Sequence, residues 1–221
     1  MTTDLITLRD ARSPQAEAYL SLRTNLEFFS LDHPLHSLLI SSAEPDIGKS
    51  TILANLGVIY AQTGKRVVLV DGDLRRPQLH EIFGLNNNVG LSSAILDPDA
   101  GLPLQDTDVT GLQVITSGPV PPNPADLLAS RRMDVLLQQL REQTDIILLN
   151  APPIIAVTDA AVLSTKVDGV LLVVGAGRTR HEYAQRAKAL LDKVNARIVG
   201  AVLNNAALDT SIYGYYGQTA R

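Results

Sequence analysis

The sequence predicts an α/β fold, in which helices cover both faces of a mainly parallel sheet. Short apolar runs, each of the length of a buried strand, alternate along the chain with segments whose apolar residues recur at helical spacing. This alternation is typical of parallel sheets, whose ligands bind at the carboxyl ends of the strands. The chain has 221 residues, of which 45% are hydrophobic, so it can bury a sizeable core. We therefore predict a single domain over residues 1–221.

The predicted elements follow one another from residue 38 onward. The predicted strands cover residues 38–40, 67–70, 112–115, 146–149, 170–174 and 198–203. The predicted helices between them include residues 52–64, 131–143 and 182–194. The segment 97–110 is rich in aspartate and is predicted to be a solvent-exposed loop.

The two ends of the chain stand apart from this alternation. Residues 1–36 are predicted to be a helical segment, in which Ser13 is a suitable N-cap and Pro14 a suitable first residue. Leu20 of this segment falls among charged residues, on the outward face. The apolar face of the helix consists of Tyr19, Leu22, Leu26 and Phe29. Half of the six tyrosines lie in residues 205–221, which are predicted to be a flexible tail.

A phosphate-binding loop follows the first strand, with the sequence Ser-Ser-Ala-Glu-Pro-Asp-Ile-Gly-Lys-Ser-Thr at residues 41–51. Gly48 lets the backbone turn its N–H groups toward phosphate oxygens, and the next helix adds the positive end of its dipole. Lys49 would reach the β- and γ-phosphates of a nucleotide, and Ser50 would ligate Mg²⁺. The residues predicted to bind the nucleotide here are Pro45, Asp46, Ile47, Gly48, Lys49, Ser50 and Thr51. The sequence therefore predicts a phosphate-loop NTPase-like fold, although Ala43 replaces the usual first glycine.

Polar residues end three of the predicted strands. Asp71 and Asp73 follow the strand 67–70, where one carboxylate would hold Mg²⁺ and the other would accept a proton from an attacking hydroxyl. Asn150 ends the strand 146–149, where phosphate-loop enzymes usually have an aspartate that helps to hold the metal. An asparagine lacks the charge, so we expect weaker Mg²⁺ binding and slower catalysis. Asn204 ends the last strand, either as a contact to the base or as part of a strand-ending turn.

Composition narrows the classes of function. The formal net charge of -4 gives no electrostatic reason to expect nucleic acid as a partner. The absence of cysteine excludes a disulfide framework and is consistent with a reducing compartment. The N-terminus lacks the basic and apolar regions of a signal peptide, and the longest apolar stretch is far shorter than the ~20 residues that cross a bilayer. We therefore expect a cytoplasmic protein.

Taken together, these motifs resemble the bacterial tyrosine kinases, the cytoplasmic partners of membrane proteins that control the chain length of exopolysaccharides and capsules. The resemblance covers nearly the whole chain. Besides the phosphate loop and the tyrosines of the tail, it rests on Ser-Pro-x-x-Glu-Ala-Tyr at 13–19, Leu-Arg-Thr-Asn at 22–25, Asp-Gly-Asp with Arg75 and Pro77, Ser-Gly at 117–118, Pro-Pro-Asn-Pro at 121–124 and Pro-Pro at 152–153.

The resemblance implies a phosphate-loop α/β fold and transfer of the γ-phosphate of ATP to tyrosine, with ATP or ADP and Mg²⁺ bound. Lys49 and Ser50 would contact the phosphates and Mg²⁺, Asp71 would be the base for the tyrosine hydroxyl, and Asp73 would hold the metal. The phosphate acceptors, presented to a neighbouring subunit, would be Tyr213, Tyr215 and Tyr216. The cytoplasmic segment of a membrane polysaccharide co-polymerase would recruit the protein to the inner face of the plasma membrane.

The chain departs from the family pattern in its assembly motif. The family forms rings through a Glu-x-x-Arg-x-x-Arg helix, and the corresponding residues here are Glu17, Leu20 and Arg23. The resemblance therefore implies a homo-oligomer whose ring motif is incomplete at Leu20.

The chain also departs from the pattern around the nucleotide. Asp46 replaces a glycine and would add negative charge near the phosphates unless it points outward, and Asn150 replaces the metal-linked aspartate. The alternative function is therefore a catalytically weak or inactive ATP-binding regulatory module of the same system. A partitioning or cell-division ATPase is a third hypothesis. The sequence argues against it, because those enzymes carry an additional lysine where this chain has Ala43 and Glu44.

Overall fold

The computed structural model describes residues 4–207 except positions 33, 98 and 100. The strands of this part of the chain are β1 (Ser37–Ser42), β2 (Val67–Asp71), β3 (Gln105–Asp106), β4 (Leu112–Ile115), β5 (Ile146–Asn150), β6 (Gly169–Gly175) and β7 (Ile198–Asn204). Its helices are α1 (Ile6–Arg9), α2 (Pro14–Phe29), α3 (Lys49–Ala61), α4 (Leu79–Phe83), α5 (Leu91–Leu96), α6 (Pro124–Ala129), α7 (Arg131–Gln143), α8 (Asp159–Ser164) and α9 (His181–Lys193).

The strands form one sheet in the order β3-β4-β2-β5-β1-β6-β7. All neighbouring strands are parallel except β3, which pairs antiparallel with β4. The predicted mainly parallel sheet is confirmed, and each predicted strand has its counterpart. The prediction of an unbroken loop over residues 97–110 is wrong, because Gln105 and Asp106 add β3 to the edge of the sheet. This strand is too short to show an apolar pattern in the sequence.

Helices cover both faces of the sheet, as the sequence predicts. Successive side chains of a strand point to opposite faces, so Leu38 and Ile40 of β1 belong to one core cluster and Leu39 to the other. The cluster around Leu38 includes residues of α2, α3 and α4, and the cluster around Leu39 includes residues of α5 to α9. The first four helices therefore pack on one face and the last five on the other.

The N-terminal helix α2 begins as predicted. Oγ of Ser13 accepts a hydrogen bond from the backbone N–H of Ala16 over 3.2 Å, and Pro14 occupies the first turn. Two side-chain predictions for this helix are wrong. Phe29 is 37% exposed and stacks against the guanidinium of Arg197, which lies 4.6 Å from its ring centre. Leu20 is half-buried rather than outward.

Arg23 of the assembly motif contacts its own chain. Arg23 lies 3.6 Å from Glu27, one helical turn further along α2, and Glu27 also pairs with Lys65 at 2.9 Å. The ring of subunits therefore stays a prediction. No helix within the described residues has both the length and the hydrophobicity to span a membrane.

Candidate active site

The phosphate loop connects β1 to α3 through an unusual backbone. Asp46 and Gly48 both adopt positive φ angles, of 56° and 81°. A Cβ atom on Gly48 would lie 2.6 Å from Nδ2 of Asn204, so only glycine fits here without a rearrangement. Asp46 is exposed to solvent, and Lys49 begins α3 directly after the loop. The free backbone N–H groups at the start of α3 therefore lie at the carboxyl edge of the sheet.

Lys49 is buried and already paired. Its Nζ atom lies 2.9 Å from Oδ2 of Asp73 and 3.5 Å from Oδ1 of Asn150. The other carboxylate oxygen of Asp73 accepts a hydrogen bond from the backbone N–H of Arg76. Both members of the Lys49–Asp73 pair are almost fully buried, and an unpaired charge is costly in such a place. A phosphate that draws Lys49 away from Asp73 therefore leaves a carboxylate that needs another cation.

Asp71 and Asn150 end neighbouring strands and lie side by side. Nδ2 of Asn150 donates a hydrogen bond to Oδ1 of Asp71 over 2.8 Å. The other oxygen of Asp71 accepts from the backbone N–H groups of Gln78 and Leu79, at 3.0 and 2.9 Å. Burial raises the pKa of Asp71, because it outweighs the lowering effect of these hydrogen bonds and of the charge of Lys49. The Asp71 carboxyl is therefore enclosed, with all its contacts made by the protein.

The side chains predicted to hold Mg²⁺ lie in one cluster. Oγ of Ser50 is 3.3 Å from Oδ1 of Asn150, and Lys49 contacts both Asn150 and Asp73. Hydroxyl, amide and carboxylate oxygens are ligands that Mg²⁺ accepts, usually together with substrate phosphates and water. Among the described residues, no group of three or more His, Asp or Glu side chains is arranged to hold a metal ion. The donor set therefore fits a Mg²⁺ ion that is bound jointly with the phosphates of a nucleotide.

A cavity of about 500 Å³ opens beside the loop. It is lined by α1, α2, the phosphate loop and the end of β7, including Arg9, Tyr19, Gly48, Thr51 and Asn204. Asn204 is therefore next to the loop, as predicted, but its amide nitrogen donates to the backbone carbonyl of Ile47 over 2.7 Å. Its contact with a base stays a prediction.

The part that α1 plays in this cavity could not be predicted from the sequence. Thr7 donates from its backbone nitrogen and from Oγ1 to Oδ1 of Asn55, at 3.2 and 2.9 Å. The amide nitrogen of Asn55 donates in turn to the carbonyl of Thr51 in the first turn of α3. These bonds fix α1 against the start of α3. No local motif predicts these bonds, because Thr7 and Asn55 are 48 residues apart.

Two arginines complete the surroundings of the site. Arg75 makes a two-pronged ion pair with the fully buried Asp159, with nitrogen–oxygen distances of 2.8 and 3.0 Å. Arg75 and Asp159 are 84 residues apart, so their spacing in the sequence does not show which of them approaches the site. The fold brings the two side chains together. Arg178, from the turn between β6 and α9, donates to the backbone carbonyl of Asp46 over 2.9 Å. Arg178 has no motif around it, so its contact with the loop could not be predicted from the sequence.

The predicted phosphate acceptors Tyr213, Tyr215 and Tyr216 lie outside the described residues. The structure thus brings together Lys49, Ser50, Asp71, Asp73 and Asn150 in direct contacts and sets Asn204 against the loop. The chemical roles of these residues stay predictions.

Comparisons with known proteins agree with this fold. A family model described as "ParA: NUBPL iron-transfer P-loop NTPase" matches residues 34–213. The tyrosine-protein kinase YwqD of Bacillus subtilis is 42% identical over 219 residues, which cover 98% of this chain and 92% of that protein. The crystal structure of the chimerical protein CapA2B2 matches with a TM-score of 0.88 and 37% identity, over 92% of this chain and 90% of that one. The kinase domain of the Escherichia coli tyrosine kinase ETK matches with a TM-score of 0.87 and 32% identity, over 92% and 82%.

Proposed function

The chain belongs to the bacterial tyrosine kinase family, and on this premise we propose that it is an ATP-dependent protein-tyrosine autokinase. The observation that carries the proposal is the buried cluster of Lys49, Asp73, Asn150 and Ser50 at the end of the phosphate loop. The cluster offers one cation and several oxygen ligands where phosphates and Mg²⁺ meet in phosphate-loop enzymes. The acceptors would be the tail residues Tyr213, Tyr215 and Tyr216 of a neighbouring subunit.

Lys49 and the loop backbone bind and orient the phosphates in this proposal. Lys49 exchanges Asp73 for the β- and γ-phosphates, while Ser50, Asp73 and Asn150 supply oxygens to Mg²⁺. Mg²⁺ supplies, when bound, the charge neutralisation that lets the γ-phosphate be approached by a hydroxyl. The adenosine part of ATP lies in the cavity beside Gly48, whose volume of about 500 Å³ is sufficient for it.

Asp71 is the proposed base for the tyrosine hydroxyl. Its raised pKa favours proton acceptance, because a carboxylate that is less stable in its charged form is a stronger base. Its oxygens already accept hydrogen bonds from Asn150, Gln78 and Leu79. The backbone N–H of Asp73 also donates to Oδ1, over 3.4 Å, so the incoming hydroxyl must replace one of four donors. The amide of Asn150 is the one side-chain donor among these four.

The two other functions considered are less well supported. A regulatory module without turnover is suggested by Asn150 and Asp46, but Asp46 is exposed, and YwqD and ETK, which match most of the chain, are named kinases. A partitioning ATPase would share the fold, but no tyrosine acceptor would be expected of it. We further propose that the protein acts in exopolysaccharide or capsule synthesis as a homo-oligomer. The cytoplasmic segment of a membrane co-polymerase would recruit it to the inner face of the plasma membrane, as the family resemblance implies.

Mass spectrometry of the tail tests the proposal directly. The purified protein is incubated with Mg-ATP, and phosphate is expected on at least one of Tyr213, Tyr215 and Tyr216. Lys49→Met is the control and should abolish the modification. Absence of phosphate from the tail, even with the cytoplasmic segment of the membrane partner added, would contradict an autokinase. Phosphate that appears only in Asn150→Asp would instead support the regulatory module.

A further inference from the structure

Two side chains hold the backbone of the phosphate loop by hydrogen bonds. Nη1 of Arg178 donates to the backbone carbonyl of Asp46 over 2.9 Å, and Nδ2 of Asn204 donates to the carbonyl of Ile47 over 2.7 Å. The two donors are 132 and 157 residues away from their acceptors in the sequence. They come from the turn after β6 and from the last residue of β7. Successive carbonyls of the loop are therefore bonded to two neighbouring strand ends.

The geometry of the peptide bond gives these contacts a consequence for the phosphate site. In a trans peptide unit the carbonyl and the following N–H point in opposite directions within one plane. The described residues contain no cis peptide bond. The carbonyl of Asp46 shares its plane with the N–H of Ile47, and the carbonyl of Ile47 shares its plane with the N–H of Gly48. Fixing the two carbonyls on Arg178 and Asn204 therefore directs the two N–H groups away from these side chains, as in an anion-binding nest.

The two donors are themselves held in a common frame. The backbone N–H of Ala176, two residues before Arg178, donates to the carbonyl of Asn204 over 2.8 Å. The turn that carries Arg178 is closed by Thr179, whose N–H donates to the carbonyl of Gly175 and whose Oγ1 accepts from the N–H of Gly175. The ends of β6 and β7 thus form one rigid support for the loop.

We propose that Arg178 and Asn204 are positioning residues that aim the N–H groups of Ile47 and Gly48 at the phosphates of the nucleotide. This inference rests on the proposed function, because it takes the loop to be the phosphate site. Neither side chain has to touch the phosphates. The close approach of Asn204 to Gly48, 2.6 Å from an ideal Cβ position, further explains why this loop position is a glycine.

Nucleotide binding measured without turnover tests the inference. The affinity for a fluorescent ADP analogue is measured for the full chain, and the affinity for inorganic pyrophosphate is obtained by competition. Arg178→Ala and Asn204→Ala should each weaken the binding of ADP and of pyrophosphate by the same factor, about five- to thirtyfold. Arg178→Lys, which keeps a donor, should recover part of the loss. Arg180→Ala is the matched control, since Arg180 is exposed and its guanidinium contacts Glu182 and the ring of Tyr183, both on α9.

The comparison of the two ligands separates positioning from a contact with the base. If Asn204 contacted the base, Asn204→Ala would weaken the binding of ADP and leave the binding of pyrophosphate unchanged. That result would overturn the positioning role of Asn204. If Arg178→Ala binds ADP and pyrophosphate with the affinity of the parent protein, the positioning role of Arg178 is overturned. Arg178 is exposed, so its removal should leave the fold intact, and thermal unfolding of each variant checks this. A parent protein that binds ADP but transfers no phosphate would contradict the proposed function and leave the loop inference standing.

Discussion

Replacement of Asn150 by aspartate should destabilise the protein in a way that depends on pH. Asn150 and Asp71 are both fully buried, and the amide nitrogen of Asn150 lies 2.8 Å from Oδ1 of Asp71. In Asn150→Asp an oxygen replaces that donor, so two carboxyl groups face each other without solvent. Lys49, 3.5 Å from Oδ1 of Asn150, favours the charged forms, but two enclosed carboxylates at this separation repel each other, so the pKa of one of them is raised. Burial already raises the pKa of Asp71 in the parent.

The magnitude follows from this linkage. A carboxyl whose pKa is raised in the folded state does not destabilise the protein below its unfolded pKa of about 3.9, where it is protonated in both states. The free energy of unfolding then falls as the pH rises from that value to the pKa of the folded state. Each pH unit in this window costs about 1.4 kcal/mol. The variant therefore loses more stability at pH 8 than at pH 5, by about 1.4 kcal/mol for each pH unit between pH 5 and the raised folded pKa. At about 2–4 °C per kcal/mol, each of these units lowers Tm by about 3–6 °C.

Thermal unfolding without nucleotide or Mg²⁺ measures this effect. The Tm of Asn150→Asp is compared with that of the parent at pH 5 and pH 8. Asn25→Asp is the control, because Asn25 is exposed on α2 and the formal change of charge is the same. A Tm deficit that is equal at the two pH values and no larger than that of the control would refute the enclosed contact between Asn150 and Asp71.

Three further predictions concern stability and the loop. Ser13→Ala removes the cap of α2 and should lower the free energy of unfolding by about 1 kcal/mol, as measured in urea. Gly48→Ala strains a position with a φ angle of 81° and brings a methyl group against Asn204, so ADP binding in a titration should fall at least tenfold while the helical content is retained. The side chain and backbone N–H of Arg66 lower the pKa of Asp145 to about 2. The stability that this pair contributes is therefore present above about pH 4 and is lost as the pH falls toward 2. Because the pair is exposed, Asp145→Asn should lower the free energy of unfolding at pH 7 by less than about 1 kcal/mol in the same urea assay.

Much of the candidate site could be predicted because its residues stand at the ends of buried strands. Lys49 follows β1 through a loop with a known spacing, and Asp71, Asp73 and Asn150 follow or end β2 and β5. The carboxyl ends of parallel strands meet at one edge of the sheet, so local motifs suffice to gather these side chains. The contact between Asp71 and Asn150 follows from strand order and register, which the motifs do not contain.

Other contacts could not be predicted from any local pattern. The bonds of Thr7 to Asn55 and of Arg178 to the loop join segments that are far apart in the sequence. Leu20 and Phe29 differ from prediction because helical periodicity gives a face but not the neighbours that cover it. Phe29 is met by Arg197, which belongs to the segment before β7 at the edge of the sheet.

By itself the sequence determined the α/β class, the phosphate loop and the polar residues that end the strands, because these depend on short-range periodicity and on the chemistry of single residue types. The tertiary structure decided which of those residues touch. It enclosed Asp71 beside Asn150, paired Lys49 with Asp73, and fixed the carbonyls of the loop from the ends of β6 and β7. The physical reason is that burial and hydrogen-bond geometry depend on strand order and packing, which arise only when distant segments assemble.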